Sequence, residues 1–287
     1  MSSGRRFNLF LNIVLIVGAI LTFVLFGSIK AQPQDEFDFK VDFIDVGQGD
    51  SVLVSFDINK QILVDGGPDS GITDKLRAKM PPYDRTIEYV ILTHPHADHL
   101  TGLVAILDHY QVEKIIETSA ESSSFVYEMW QKKVEDKKIP VEIVDSRRIE
   151  NFGSGAQGEF FWPDGNIDGL SLNDTSIVMK FSMDGGKIMF MGDAEQETQG
   201  KVLDGGRDFE SQIVKIAHHG SENGFLDELM EKIQPKYAVI SVGKNSFGHP
   251  ASSVIEALEK LSIEVLETIK EGDIEFGWNG SEFIRQK

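Results

Sequence analysis

The most informative segment of this 287-residue chain is Thr93-His94-Pro95-His96-Ala97-Asp98-His99. The apolar run 89–92 stands before it, and an amphipathic run covers 100–110 behind it. This order predicts a strand, a loop and a helix, with three histidines and one carboxylate gathered in the loop. Gly102 lies inside the predicted helix and is expected to let it pack close to a neighbouring backbone.

The spacing of the histidines suits two adjacent metal ions. Side chains alternate along an extended segment, so His94 and His96 are expected to point the same way and to hold one ion. Asp98 and His99 fall where the helix begins, so they project elsewhere and are expected to hold a second ion. Imidazole and carboxylate groups bind zinc and similar divalent ions. The alternative is a polar loop that caps the helix, with Asp98 as the N-cap residue.

The composition limits which groups can hold a metal. The chain contains no cysteine, which excludes disulfides, thiolate ligands and a cysteine nucleophile. Any metal must therefore be bound by His, Asp or Glu. Hydrophobic residues make up 41% of the chain, which is enough for a core of ordinary size.

Four other short motifs accompany the histidine stretch. They are F-I-D-V-G-Q-G-D-S at 43–51, G-D-A-E at 192–195, H-H-G-S at 218–221 and G-H-P-A-S at 248–252. The histidine stretch matches the H-x-H-x-D-H signature of the metallo-β-lactamase superfamily. Together the motifs resemble the metallo-β-lactamase-like domain of the DNA-uptake competence protein ComEC and its free-standing relatives, and the resemblance covers residues 39–283.

The resemblance implies an α/β fold, the αββα four-layer metallo-β-lactamase sandwich, for a domain over residues 37–287. Predicted strands separated by helices, in two halves of similar length, fit this arrangement. The site would lie along the edge where the strand ends converge.

The resemblance also implies a ligand set for two divalent ions, zinc or manganese. The first ion would be held by His94, His96 and Asp193, and the second by Asp98, His99, Asp193 and His219. Asp193 ends a predicted strand over 187–191 and is well placed to bridge the ions, although it could instead cap a helix over 194–203.

The two neighbouring histidines of the H-H-G-S motif are expected to differ in role. They follow a predicted strand over 211–217, and neighbouring residues of a strand point to opposite faces. We expect His219 to meet the metal and His218 to contact the substrate or to support the ligands.

Further residues are expected around the substrate. Asn173 stands where many metallo-β-lactamases have a third histidine. The ComEC-like pattern also has asparagine at this place, and full occupancy of the first metal site is left open. Gln48 and Asp50 are expected to line the metal cleft, although a plain glycine turn is the alternative. His249, just before a predicted helix, is expected to donate to a phosphate or protonate a leaving group, or else only to pin its loop.

The resemblance implies a hydrolase that cleaves phosphodiesters, including single-stranded DNA. In this mechanism Asp98 belongs to the catalytic group, and His249 or His218 assists the leaving oxygen.

The charge of the chain favours other substrates. Its formal net charge is −18, which argues against a broad electrostatic footprint for duplex DNA. A second hypothesis is therefore a small phosphoester substrate, such as a choline-phosphate or a nucleotide. A third, of another class, is an inactive binding or scaffold domain on the cell surface.

The N-terminal segment predicts a link to the membrane. Arg5 and Arg6 precede the apolar run 9–26, which is about long enough to span a bilayer. We predict a signal anchor or transmembrane segment over 1–30 and a linker over 31–36, with the domain outside the cell membrane. The alternative is a secretory signal peptide that is cut near Ala31, which would release the domain.

Overall fold

The computed structural model describes residues 15–18, 37–57 and 59–286. Residues 15–18 are helical, and the contacts between Cα atoms divide the chain into the units Met1–Glu36 and Phe37–Lys287. Within the described ranges no helix combines the length and the apolar character needed to cross a bilayer. Apart from residues 15–18, the predicted membrane segment over 1–30 and the linker over 31–36 lie outside the described residues. They stay predictions.

The second unit alternates strands and helices. Its strands are β1 Phe39–Phe43, β2 Val52–Phe56, β3 Lys60–Val64, β4 Thr86–Ile91, β5 Gln111–Thr118, β6 Val141–Val144, β7 Arg148–Gly153, β8 Ala156–Trp162, β9 Val178–Met183, β10 Gly186–Phe190, β11 Ile213–Lys215, β12 Tyr237–Ile240, β13 Glu264–Glu267, β14 Ile274–Trp278 and β15 Phe283–Arg285. Its helices are α1 Ile72–Lys79, α2 Ala97–His109, α3 Phe125–Lys137, α4 Gln196–Asp204, α5 Asp227–Ile233, α6 Ser252–Lys260 and α7 Thr268–Glu271. Short 3₁₀ turns cover Asn173–Thr175, Ala217–Gly220 and Glu222–Gly224.

The strands form two sheets. The first has the order β15-β14-β1-β2-β3-β4-β5-β6, and the second has the order β13-β12-β11-β10-β9-β8-β7. In the first sheet β3 to β6 pair in parallel, and in the second β10 to β13 do. The last two strands of the chain return to the first sheet, where β14 pairs with β1. The two sheets therefore do not divide the chain cleanly into an N-terminal and a C-terminal half.

An aromatic core lies between the sheets. Phe39 on β1 and Phe181 on β9 are buried, and their ring centroids lie 5.3 Å apart. Helices α1 to α3 bury their apolar faces on the first sheet, and α4 to α6 bury theirs on the second. Two sheets with helices on both outer faces confirm the predicted α/β fold.

Helix α2 lies unusually close to the loop that follows β3. The Gly66 amide donates to the carbonyl of His99 (2.7 Å), and the Gly102 amide donates to the carbonyl of Gly67 (3.0 Å). A Cβ atom on Gly102 would lie 1.8 Å from the carbonyl oxygen of Gly66. The close approach predicted for Gly102 is therefore confirmed, and it fixes the helix turn that carries Asp98 and His99.

We expect Gly102→Ala to lower the free energy of unfolding by about 1–3 kcal/mol or more, because the added methyl group has no space. The matched control is Gly200→Ala in α4, where an added Cβ meets no atom within 4 Å. Alanine favours a helix over glycine by about 0.5–1 kcal/mol, so this control should raise the free energy of unfolding. Denaturant unfolding of both variants checks the prediction, and equal shifts would contradict it.

Candidate metal centre

The candidate site lies where the carboxyl ends of parallel strands from both sheets meet. The loop after β4 carries the histidine stretch, the turn after β10 carries Asp193, and the turn after β11 carries His218 and His219. They open onto a cavity of about 160 Å³. Its walls are formed by Gln48, His96, Asp98, Asn173, Asp193, His218, His219, Phe247 and His249.

Three of the predicted ligands meet at the first metal position. His94 Nε2 lies 2.9 Å from His96 Nδ1 and 3.8 Å from Asp193 Oδ2. His94 is fully buried. Burial, with the charge of the neighbouring His99 added, holds the pKa of the His94 imidazole well below its usual value. The ring is therefore neutral, which is the form that binds a metal.

The second position gathers around the same carboxylate. Asp193 Oδ2 lies 3.3 Å from His99 Nε2 and 3.7 Å from His219 Nε2. Asp98 Oδ2 lies 3.2 Å from His219 Nε2 and 4.0 Å from His99 Nε2. Asp193 therefore faces predicted ligands of both ions, as a bridging ligand would. Neither aspartate caps a helix, because His96 and Glu195 hold the N-cap positions of α2 and α4.

The spacing of these atoms fits divalent ions. Two ligand atoms about 2.0–2.1 Å from one tetrahedral zinc ion stand about 3.3 Å apart, close to the distances above. His99 Nε2 and Asp193 Oδ1 are buried, and neither makes a hydrogen bond. Buried polar atoms normally have a partner, so these two indicate room for an ion between them.

Sets of three donor atoms that lie within 4.8 Å of one another show which ligands are gathered most tightly. Among the described residues these sets are His94/His99/Asp193, Asp98/His99/His219, Asp50/Asp193/His219 and Asp50/Asp65/His99. His96 belongs to none of them. It is the least tightly gathered of the predicted ligands.

Buried partners orient the ligand rings. His99 Nδ1 donates to Asp65 Oδ2 at 2.8 Å, and Thr93 donates to the same carboxylate through its amide and its hydroxyl. His219 Nδ1 donates to the carbonyl of Ser241 at 2.9 Å. Each bond leaves Nε2 of the ring free to face the centre, as is usual for metal-bound histidines. The role of Asp65 was not predicted, because the sequence Asp65-Gly66-Gly67 is typical of an ordinary turn.

The H-H-G-S motif does not continue a strand. β11 ends at Lys215, and both His218 and His219 adopt the left-handed conformation, with φ of 49° and 53°. The two histidines therefore do not lie on opposite faces of a strand, as predicted, although His219 does face the carboxylates and His218 does line the cavity. A left-handed conformation costs a non-glycine residue about 1–3 kcal/mol, and such strain is concentrated at functional sites.

Opposite charges support one another within the cluster. Burial acts against a charge on His99, but the carboxylates of Asp193 and Asp65 outweigh it and raise the pKa of the imidazole well above its usual value. Burial opposes the charge of His219 in the same way, yet its carboxylate neighbours, Asp193 foremost, raise its pKa to about 10. Burial also opposes ionisation of Asp193, but these two imidazoles hold its pKa well below the usual range. The site is therefore arranged for a positive charge beside Asp193.

Asn173, which was predicted at the place of a third histidine, lies at the wall of the cavity. Its Nδ2 donates to Glu195 Oε1 at 3.1 Å and lies 3.4 Å from the ring nitrogens of His218. Its Oδ1 is buried and makes no hydrogen bond. An amide oxygen is therefore available at the wall of the cavity. Glu195 belongs to the G-D-A-E motif, but its contact with Asn173 was not predicted.

Two other predicted residues lie on the rim. Gln48 Oε1 accepts from the Gly243 amide at 3.3 Å, so this side chain also ties two loops together. The ring of His249 lies 5.4 Å from that of His218, and its Nδ1 is buried and makes no hydrogen bond. Burial, with the charge of His218 added, lowers the pKa of His249, which keeps the ring neutral.

Asp50 lies beneath the cavity and does not form part of its wall. It is 3% exposed and forms an ion pair with Lys215, which is equally buried and also lies 3.3 Å from the carbonyl oxygen of Gly192. Its predicted contact with substrate stays a prediction. Lys215 was missed, although a lysine within an otherwise apolar strand is itself a sign of a buried partner.

The chain is similar in sequence to known proteins. ComE operon protein 3 of Bacillus subtilis (strain 168) is 28% identical over 291 residues, covering 93% of this chain and 36% of that protein. Competence protein ComA of Neisseria gonorrhoeae is 27% identical over 270 residues, covering 90% of this chain and 35% of that protein. These relatives confirm the predicted resemblance to competence proteins. This chain spans about a third of the length of each.

A solved structure shows the same fold. The metallo-beta-lactamase fold protein YhfI from Bacillus subtilis has a TM-score of 0.57 at 14% identity, covering 83% of this chain and 100% of that chain. The sequence profile of the Metallo-beta-lactamase superfamily matches residues 44–244. This match spans the histidine stretch, Asp193 and His219, and the chain belongs to the metallo-beta-lactamase superfamily.

Proposed function

We propose that this protein is a dinuclear metal-dependent hydrolase of phosphodiesters. Members of the superfamily are generally metal-dependent hydrolases. The observation that supports two ions here is the position of Asp193 Oδ2, which lies 3.3–3.8 Å from the nitrogens of His94, His99 and His219. In this proposal His94, His96 and Asp193 hold the first ion, and Asp98, His99, Asp193 and His219 hold the second.

The protein groups around the ions have distinct tasks. When bound, the ions supply an activated water at neutral pH and stabilise charge on the phosphoryl oxygens. Asp98, which is only partly buried, would help to hold the second ion and orient the attacking water. His249 lines the cavity as a neutral ring, so its N–H would donate a hydrogen bond that stabilises charge on the leaving oxygen, and His218 stands beside it for the same task.

The choice of metal follows from the donor atoms. Histidine nitrogens suit zinc, whereas amide and carboxylate oxygens suit manganese. The free Oδ1 of Asn173 is an oxygen donor at the place where other members of the superfamily offer a nitrogen. We therefore propose that zinc or manganese fills the site and that Asn173 favours manganese at the first position.

Two candidate substrates remain, and each has its own support. One relative is named a competence protein, which supports a nucleic acid as the substrate, and we propose single-stranded DNA. The net charge of −18 supports a small phosphoester instead, such as a choline-phosphate or a nucleotide. An inactive surface-binding domain is the least favoured function, because the ligand set is gathered in one place.

We further propose that residues 1–30 anchor the domain outside the cell membrane, with release after cleavage near Ala31 as the alternative.

Adding Mn²⁺ or Zn²⁺ to the metal-stripped protein should raise its melting temperature. A ligand at 100 times its Kd stabilises by about 2.7 kcal/mol, which is about 5–10 °C for a domain of this size. Asp193→Asn should abolish most of the shift, because it removes the shared negative charge. Asp168→Asn, an exposed aspartate outside the cavity, is the matched control and should keep it. Differential scanning calorimetry measures the shift, and an unchanged shift in Asp193→Asn would count against the proposed centre.

The manganese-loaded or zinc-loaded protein should cleave bis-p-nitrophenyl phosphate and single-stranded DNA. Asp98→Ala and Asp193→Ala should each lower kcat/KM at least about 100-fold, since even the outer partners of a metal ligand are worth 10–100-fold. Duplex DNA, tested in parallel, should be cut more slowly. Cleavage of small esters but not of DNA would favour the second substrate class, and an absence of metal binding and of turnover would leave only the binding domain.

A further inference from the structure

Phe247 stands at the mouth of the candidate metal centre with its ring in solvent. Its side chain is 73% exposed, whereas most of the phenylalanines that the structure describes are buried in the cores. Phe125 is comparably exposed, but only Phe247 lies on the wall of the cavity. Burying a phenylalanine side chain stabilises a protein by about 1.5–3 kcal/mol. Because the ring of Phe247 stays exposed, folding does not provide most of this stabilisation.

The loop that carries Phe247 is built to hold the ring outward. Asn245 Oδ1 accepts from the amides of Phe247 (3.0 Å), Gly248 (3.1 Å) and His249 (3.1 Å). Asn245 Nδ2 donates to the carbonyls of Gly243 (3.0 Å) and His249 (2.8 Å). One side chain thus fixes the loop through five hydrogen bonds, so a ligand that binds to Phe247 needs to order little of it.

A row of rings leads from Phe247 to the metal ligands. The ring centroids of Phe247 and His249 lie 5.8 Å apart with their planes 35° from parallel, and His249 lies 5.4 Å from His218. His218 and His219 are 6.1 Å apart. A substituent on the ester oxygen beside His249 would therefore leave the centre along the face of Phe247.

We propose that Phe247 is a specificity-determining residue on which the nucleobase next to the scissile phosphate stacks. The inference rests on the proposed diesterase function, and it names a planar ring as the part of the substrate that the chain recognises. Phenylalanine has no hydrogen-bonding group, so it selects a base without reading its identity. Stacking of one base on an aromatic side chain is worth about 1–3 kcal/mol and tolerates any sequence.

This contact also reconciles a nucleotide substrate with the acidity of the chain. Proteins that bind single-stranded nucleic acids usually combine aromatic rings with a basic groove. A chain of net charge −18 is poorly suited to forming a basic groove. Stacking needs no cation on the protein. The contribution of Phe247 should therefore change little between low and high salt, unlike that of a phosphate contact.

The test compares two substrates on the manganese-loaded full chain. We expect Phe247→Ala to lower kcat/KM for a short oligothymidylate by about 5–150-fold, the equivalent of 1–3 kcal/mol. The same strand with abasic residues should be cut equally well by both proteins. Phe247→Trp should restore cleavage of the oligothymidylate. Tyr83→Ala removes another exposed aromatic ring, which lies before β4 at the opposite end from the site, and should change neither substrate.

A second measurement does not depend on turnover. An oligothymidylate with 5-iodouracil, irradiated with the metal-stripped chain, should crosslink to Phe247, as identified by mass spectrometry of the peptides. A crosslink without cleavage of any diester would support stacking while overturning the diesterase proposal. Normal cleavage, with no crosslink and equal losses on both strands in Phe247→Ala, would overturn the stacking proposal alone. A loss confined to a choline-phosphate ester would overturn it too, because the ring would then face a quaternary ammonium group.

Discussion

One buried carboxylate oxygen, Asp193 Oδ2, lies 3.3–3.8 Å from three imidazoles, of which His94 and His99 follow β4 of the first sheet and His219 follows β11 of the second. An ionised carboxylate is expensive to bury unless positive charges and hydrogen bonds surround it. The fold meets this requirement by ending strands of both sheets at one edge, where His94 and His99 face His219 across Asp193. Everything proposed about metal binding and hydrolysis depends on that meeting.

Several features of the fold hold this arrangement in place. The contact between Gly66 and Gly102 seats α2 on the turn after β3, so that Asp65 reaches His99. The ion pair between Asp50 and Lys215 joins the first sheet to the second directly beneath the centre. Breaking a buried pair by removing one partner typically costs about 3–5 kcal/mol, so this link fixes the distance between the two halves of the site.

Elements that depend on neighbouring residues could be predicted from the sequence, whereas contacts between residues far apart in the chain could not. The strand before the histidine stretch and the helix behind it were correctly predicted, because both depend on neighbours in sequence. The return of β14 to the first sheet and the pairing of Lys215 with Asp50 depend on residues far apart in the chain. The turn at His218 was misread as a strand, since only tertiary contacts hold two consecutive histidines in the left-handed conformation.

Anomalous X-ray scattering from crystals of the manganese-loaded protein would locate the ions. We expect two peaks about 3.5–4 Å apart, a separation usual for two-metal sites, with the Asp193 carboxylate between them. His96 should close up on the first ion, and His219 should bind the second. A single peak, or two peaks of which only one touches Asp193, would contradict the shared-carboxylate centre.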